Sequence, residues 1–146
     1  MSGVVTGIRP RVQAILSIKG LEITTKPIWF TLDTGSTFCT LAESDATLNG
    51  IDCSMLPLAK RESIGFGGLF KPRMIDRQCE LIFNTDGGEY KVGRSGLVVV
   101  CPPDEVEPKV REQMLRLTPS VIGMDVLNRF DIHIYKKRVQ LDLREP

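Results

Sequence analysis

A chain of 146 residues with 19 basic and 18 acidic side chains carries a formal charge of +1, so it presents no field of one sign that would draw in nucleic acid or an anionic lipid surface. At 42% hydrophobic and 25% charged, its composition is that of an ordinary globular protein, which excludes global disorder and a fibrous repeat. At this length one domain, residues 1–146, buries roughly 70% of the surface its unfolded form exposes.

The opening "MSGVVTGIRPRVQ" has too short an apolar stretch for a secretory leader, and no segment approaches the ~20 apolar residues that span a bilayer. The expectation is a cytoplasmic chain with no membrane partner. Cys39, Cys53, Cys79 and Cys101 are widely separated and form no CxxC pair, so isolated reduced thiols are expected and a zinc ribbon is disfavoured. No metal or other cofactor is called for, and Cys39 and Cys79, inside apolar runs, read as core residues.

Short-period alternation predicts strands over residues 11–18, 21–25 and 28–32, with Lys19-Gly20 as a turn. After Asp33-Thr34-Gly35-Ser36 the run "TFCTL" reads as another strand, and residues 42–63, with Asn49-Gly50 and Pro57, as a loop holding one helical turn. Ser63 to Phe70 sets three glycines among large apolar residues. "MIDRQCELIF", "GEYKV" and "LVVVC" follow as three strands, the first two joined through residues 84–88. Pro108 opens a short surface helix that places Val110, Met114 and Leu117 on one core-packing face. Beyond Val121-Ile122-Gly123 a helix-length run reaches Phe130, and "DIHIY" and "RVQLDL" alternate as strands around Lys136-Lys137. The fold class is all-β, with one short C-terminal helix and an extra surface helix.

The residue that a core strand cannot explain is Asp33. A carboxylate placed straight after Leu32 and before a tight turn costs several kcal/mol when buried unpaired, so it marks a site. Competing chemistry is thin. The one histidine, His133, alternates with Ile132 and Ile134 and reads as a surface or satisfied residue, and nothing local marks Cys39 as a lowered-pKa thiol, which argues against a Cys39–His133 dyad. GxSxG is absent, and Gly65-Phe66-Gly67-Gly68 lacks the GK[ST] of a phosphate loop.

Phe30-Thr31-Leu32-Asp33-Thr34-Gly35-Ser36 resembles the active-site loop of the aspartic peptidases. Two further elements occur in that family's order: Val121-Ile122-Gly123 before Met124-Asp125-Val126-Leu127, and the glycine-rich stretch Ile64-Gly65-Phe66-Gly67-Gly68 where the family has a flap. A single DTG in a short chain points to the retropepsin-like branch, whose fold is a closed, barrel-like sheet and whose subunits each supply one lobe. The ending "VIGMDVLNRFDIHIYKKRVQLDL" is similar to the protease domain of the DNA-damage-inducible ubiquitin-shuttle proteins and to related prokaryotic peptidases. The likeness covers roughly Val12 to Leu143. Met124 and Asp125 stand where retroviral enzymes have an Arg-Asn pair, and the segment Pro102 to Pro119 is longer than in those proteases.

The resemblance implies an endopeptidase working on extended polypeptides as a homodimer, with Asp33 catalytic in both subunits and Thr34 and Gly35 completing the loop. By the same resemblance Ser36 hydrogen-bonds near the outer oxygen of Asp33, and Ile64, Gly65, Phe66, Gly67, Gly68 and Leu69 close over substrate. Ile122 reads as packing beneath the loop. Asp125 and Asp131 are the weaker candidates for a second carboxylate, because Asp125 early in a helix already complements the N-terminal dipole. Two rivals from other classes are a catalytically silent dimeric module that binds extended peptides, and a phosphate-binding loop of the actin and hexokinase kind. The latter needs a longer chain and a second phosphate loop.

Overall fold

The computed structural model describes residues 2–6, 10–21, 26–60, 70–135 and 138–144, and for residues 2–6 and 138 the backbone path alone. Its sheet grows from the alternation in β2 (Arg11–Ile18), where Val12, Ala14, Leu16 and Ile18 point inward and are buried. Residues 11–14 pair antiparallel with β3 (Ile28–Leu32), and residues 15–18 with β6 (Cys79–Thr85). A strand that changes partner midway bends the sheet, and the result is a curled half-barrel. Leu16, Ile28, Phe30 and Leu81 fill its inside almost without exposure. Each such side chain contributes roughly 1.5–3 kcal/mol relative to leaving it in water.

β6 turns back through residues 86 and 87 into β7 (Gly88–Arg94), with Gly88 at φ 112°, a left-handed conformation that favours glycine. On the opposite side lie β4 (Thr40–Ala42), β5 (Lys71–Ile75) and β8 (Leu97–Cys101). With β9 (Ser120–Ile122), the eight-stranded order is β5-β8-β4-β9-β3-β2-β6-β7. β8 is buried along its whole length, as its unbroken apolar run requires. A second sheet, β1-β11-β10, combines β1 (Ser2–Thr6) with the hairpin of β10 (Phe130–Tyr135) and β11 (Arg138–Leu143).

Several expectations are corrected. "MIDRQCELIF" is two strands in different parts of the sheet, because Asp76, Arg77 and Gln78 interrupt it and β5 pairs with β8 while β6 pairs with β2 and β7. The strand in "TFCTL" begins only at Thr40. The loop after it contains α1 (Glu43–Leu48), whose first turn holds Glu43 and Asp45, and then a 3-10 turn, Cys53–Met55, capped by Asp52. The helix α2 (Pro108–Leu117) forms with Pro108 in its first turn, yet it buries no residue: Val110 and Leu117 are exposed. It is tethered through Arg111, whose Nη2 donates to Glu43 Oε2 at 2.5 Å. The run to Phe130 yields only the four-residue α3 (Met124–Leu127), because Phe130 already starts β10. Strand β1 was not foreseen. The strand expected at 21–25 falls largely, and the turn at Lys136-Lys137 wholly, outside the described residues.

Candidate active site

β3 and β4 flank the Asp33 loop in sequence but are not neighbours in the sheet. β9, from some ninety positions downstream, lies between them, parallel to β3 (Leu32 opposite Ile122) and antiparallel to β4 (Thr40 opposite Val121). This threading carries the second motif to the first. Asp33 N–H donates to the Ile122 carbonyl at 3.0 Å, Met124 N–H to Ser36 O at 2.8 Å, and Asp125 N–H to Thr37 O at 3.1 Å. Ile122 is fully buried below the loop, in keeping with a packing role.

Within the loop, Gly35 N–H donates to Asp33 Oδ1 at 2.9 Å, and Ser36 N–H to the Asp33 carbonyl at 3.2 Å. A Cβ on Gly35 would sit 3.2 Å from that same Oδ1, so a side chain here would press on the carboxylate. Asp33, Thr34 and Gly35 are exposed. Gly123 answers to a harder constraint, since a Cβ there would lie 2.6 Å from Phe38 O and 2.8 Å from Phe38 N, inside contact distance of backbone that has nowhere to go. Ser36 departs from expectation: its hydroxyl donates to the Phe38 carbonyl at 2.9 Å instead of reaching Asp33.

A partly buried ion pair fixes the far side of the loop. Asp125, in the first turn of α3, accepts from Arg94 Nη1 at the end of β7, from Cys39 N–H at 3.3 Å and from Cys39 Sγ at 3.2 Å. Burial, with the Asp125 charge next, pushes the Cys39 thiol up to about 12, so it is a neutral donor and not a nucleophile. The Cys39–His133 dyad does not form, because His133 Nε2 lies 3.0 Å from Asp142 Oδ2. Asp131 is likewise engaged, by Arg144 Nε at 2.8 Å. Arg94 was missed in the sequence, where one arginine in a polar hairpin strand carries no period or spacing to set it apart.

Ile64, Gly65, Phe66, Gly67, Gly68 and Leu69, expected to close over substrate, lie outside the described residues. Phe70 is the first described residue after them, directly before β5. Thr34 lines a groove together with Met124, Asn128, Asp131, His133 and Arg144, so the loop opens toward β10.

No protein-family model and no curated protein matches this chain. Among solved structures it is similar to a retropepsin-like aspartic protease from Rickettsia conorii, at 19% identity and a TM-score of 0.51, over 97% of this chain and 91% of that one. It is also similar to EIAV protease complexed with the inhibitor HBY-793, at 15% identity and a TM-score of 0.48, over 82% and 86%. The fold of the chain is therefore retropepsin-like.

Proposed function

We propose that the chain is an aspartic endopeptidase that folds as one domain and works as a C2 homodimer, with Asp33 of both subunits at the axis. The observation that carries this reading is the interlock of the two motifs: β9 holds the Asp33 loop by its backbone while leaving the carboxylate at the surface, facing outward from its own chain. A lone exposed carboxylate does little to an amide. Two of them a few Å apart share one proton, so one acts as base on the attacking water and the other as acid toward the product side. An isologous interface delivers that pair from a single motif.

In this reading Gly35 N–H orients the carboxylate, Thr34 and Ser36 stand at the subunit boundary, and residues 64–69 close over an extended polypeptide whose backbone pairs with strand edges. The exposed Ile134 and Tyr135 of β10 belong to the contact surface between subunits. No cofactor takes part. The four free cysteines fit a reducing, cytoplasmic compartment.

The test is digestion of a random peptide mixture from acidic to neutral pH by the native protein and by Asp33→Asn, with oligomeric mass recorded for both. Asparagine keeps an oxygen for the Gly35 N–H, so the loop survives while the acid–base pair is lost. Cleavage falls by at least the roughly 10²–10⁴-fold that a positioned acid or base contributes. A well-formed dimer that cleaves nothing at any pH would make the protein a peptide-binding module of the same fold. Mutant activity equal to native would remove Asp33 from the chemistry.

A further inference from the structure

Away from the Asp33 loop, the fold gathers three donors from three separate elements. One carboxylate oxygen of Glu43, Cys53 Sγ and Cys101 Sγ all lie within 4.8 Å of one another. They come from the start of α1, the start of the 3-10 turn and the end of β8, and their exposures are 9%, 5% and 2%. The expectation of isolated thiols thus fails for Cys53 and Cys101. We propose that Glu43, Cys53 and Cys101 form a binding site for one thiophilic divalent cation of the zinc class.

Metal ligation and a disulfide impose different distances on the two sulfurs. A tetrahedral ion with sulfurs at about 2.3 Å and a carboxylate oxygen near 2.1 Å sets its donors about 3.5–3.8 Å apart, so a cluster within 4.8 Å needs to contract by at most about 1.3 Å. A sulfur–sulfur bond demands about 2.05 Å. The donor set selects among cations as well, since two sulfurs and one oxygen suit zinc and its softer neighbours, while calcium and magnesium require oxygen throughout.

The surroundings complete the site. The Arg111 guanidinium holds Glu43 Oε2 at 2.5 Å, as outer partners orient ligating carboxylates. Two thiolates, the carboxylate, a divalent ion and Arg111 together balance in charge. The other acids at the cavity are engaged: Asp104 with Lys71 at 2.5 Å and Arg73 at 3.7 Å, and Asp52 Oδ1 with Ser54. No fourth His, Cys, Asp or Glu among the described residues joins the cluster, so the fourth position falls to water, for which the adjoining cavity of about 440 Å³ has room. Such an ion ties α1, the 3-10 turn and β8 together, with α2 secured through Arg111.

The reduced, chelator-treated native protein is titrated with Co²⁺. The expected result is one equivalent bound, with a thiolate-to-cobalt charge-transfer band and the visible bands of a tetrahedral ion, both displaced by Zn²⁺. Cys53→Ser and Cys101→Ser each lose more affinity than the roughly 10–100-fold typical of outer-partner changes, whereas Cys79→Ser retains it. X-ray absorption of the zinc-loaded native protein needs no variant and is expected to show two sulfur neighbours at about 2.3 Å. Oxygen and nitrogen neighbours alone, no charge-transfer band in the folded native protein, or a band that survives the double serine variant would each overturn the site. So would a Cys53–Cys101 disulfide formed by peroxide in a protein that takes up no cobalt.

Discussion

Residues 33–38 are braced by backbone hydrogen bonds to one another and to residues 122–125, and by the Arg94–Asp125–Cys39 cluster behind them. The sheet β1-β11-β10 is left differently. Ile134 stands 70% and Tyr135 46% exposed on β10, an edge strand among the described residues, although Val139 and Leu141 of the neighbouring strand are buried. The contrast teaches where the second half of the proposed site comes from. In the proposed dimer the loop's frame comes from its own chain, the second carboxylate comes from the other subunit, and the sheet β1-β11-β10 is the surface on which the two chains would meet.

The largest effect that would break this comparison is in the bracing. Asp125→Asn leaves Arg94 without its charge partner at side-chain exposures of 19% and 18%, and we expect a loss near the lower end for buried pairs, about 3 kcal/mol. A shift of the denaturation midpoint at constant slope would report it. A change below about 0.5 kcal/mol would make the cluster incidental. Next comes Gly123→Ala, whose methyl meets the Phe38 backbone at 2.6–2.8 Å; overpacking of this kind costs about 1–3 kcal/mol and moves the loop, so peptide cleavage falls further than stability does.

A smaller effect comes from Cys39. Its folded thiol is held up at about 12 against an ordinary 9.0, so both folded and unfolded forms keep the proton below pH 9 and nothing changes there. From pH 9 toward 12 the unfolded chain releases a proton that the folded one retains, and native stability falls by about 1.4 kcal/mol per pH unit relative to Cys39→Ala. Denaturation of both proteins at pH 8 and pH 10.5 reads the difference. Equal slopes would mean that Cys39 is not the buried donor to Asp125.

How much of this was legible in advance divides along the same line. Local pattern marked β2, β3, β7, β8 and the C-terminal hairpin, since alternation or an unbroken apolar run is a property of consecutive residues. Asp33 stood out because a carboxylate in that setting violates what a strand requires. What could not be read were consequences of distant pairing: the break at residues 76–78, the late start of β4, and the exposure of α2. Arg94 with Asp125 is joined across 31 positions, and Glu43 and Cys53 with Cys101 across 58 and 48, by how the elements pack. No spacing announces them. Only the motif pair at Asp33 and Gly123 crossed such a gap, through its resemblance to a known family.

The smallest expected effect on the fold is also the one that sharpens the comparison most. Ile134→Asp places a charge on a side chain that is already mostly in water, so the folded chain keeps its stability within about 0.5 kcal/mol. If β10 lies between subunits, the same charge must be desolvated on both sides of a two-fold axis, where like charges meet, and the mass in solution drops to that of one chain. Cleavage then disappears with Asp33 and its bracing untouched. A monomer without activity would show that the loop is complete in form and incomplete in chemistry. A dimer that persists in Ile134→Asp would instead move the subunit contact off this sheet.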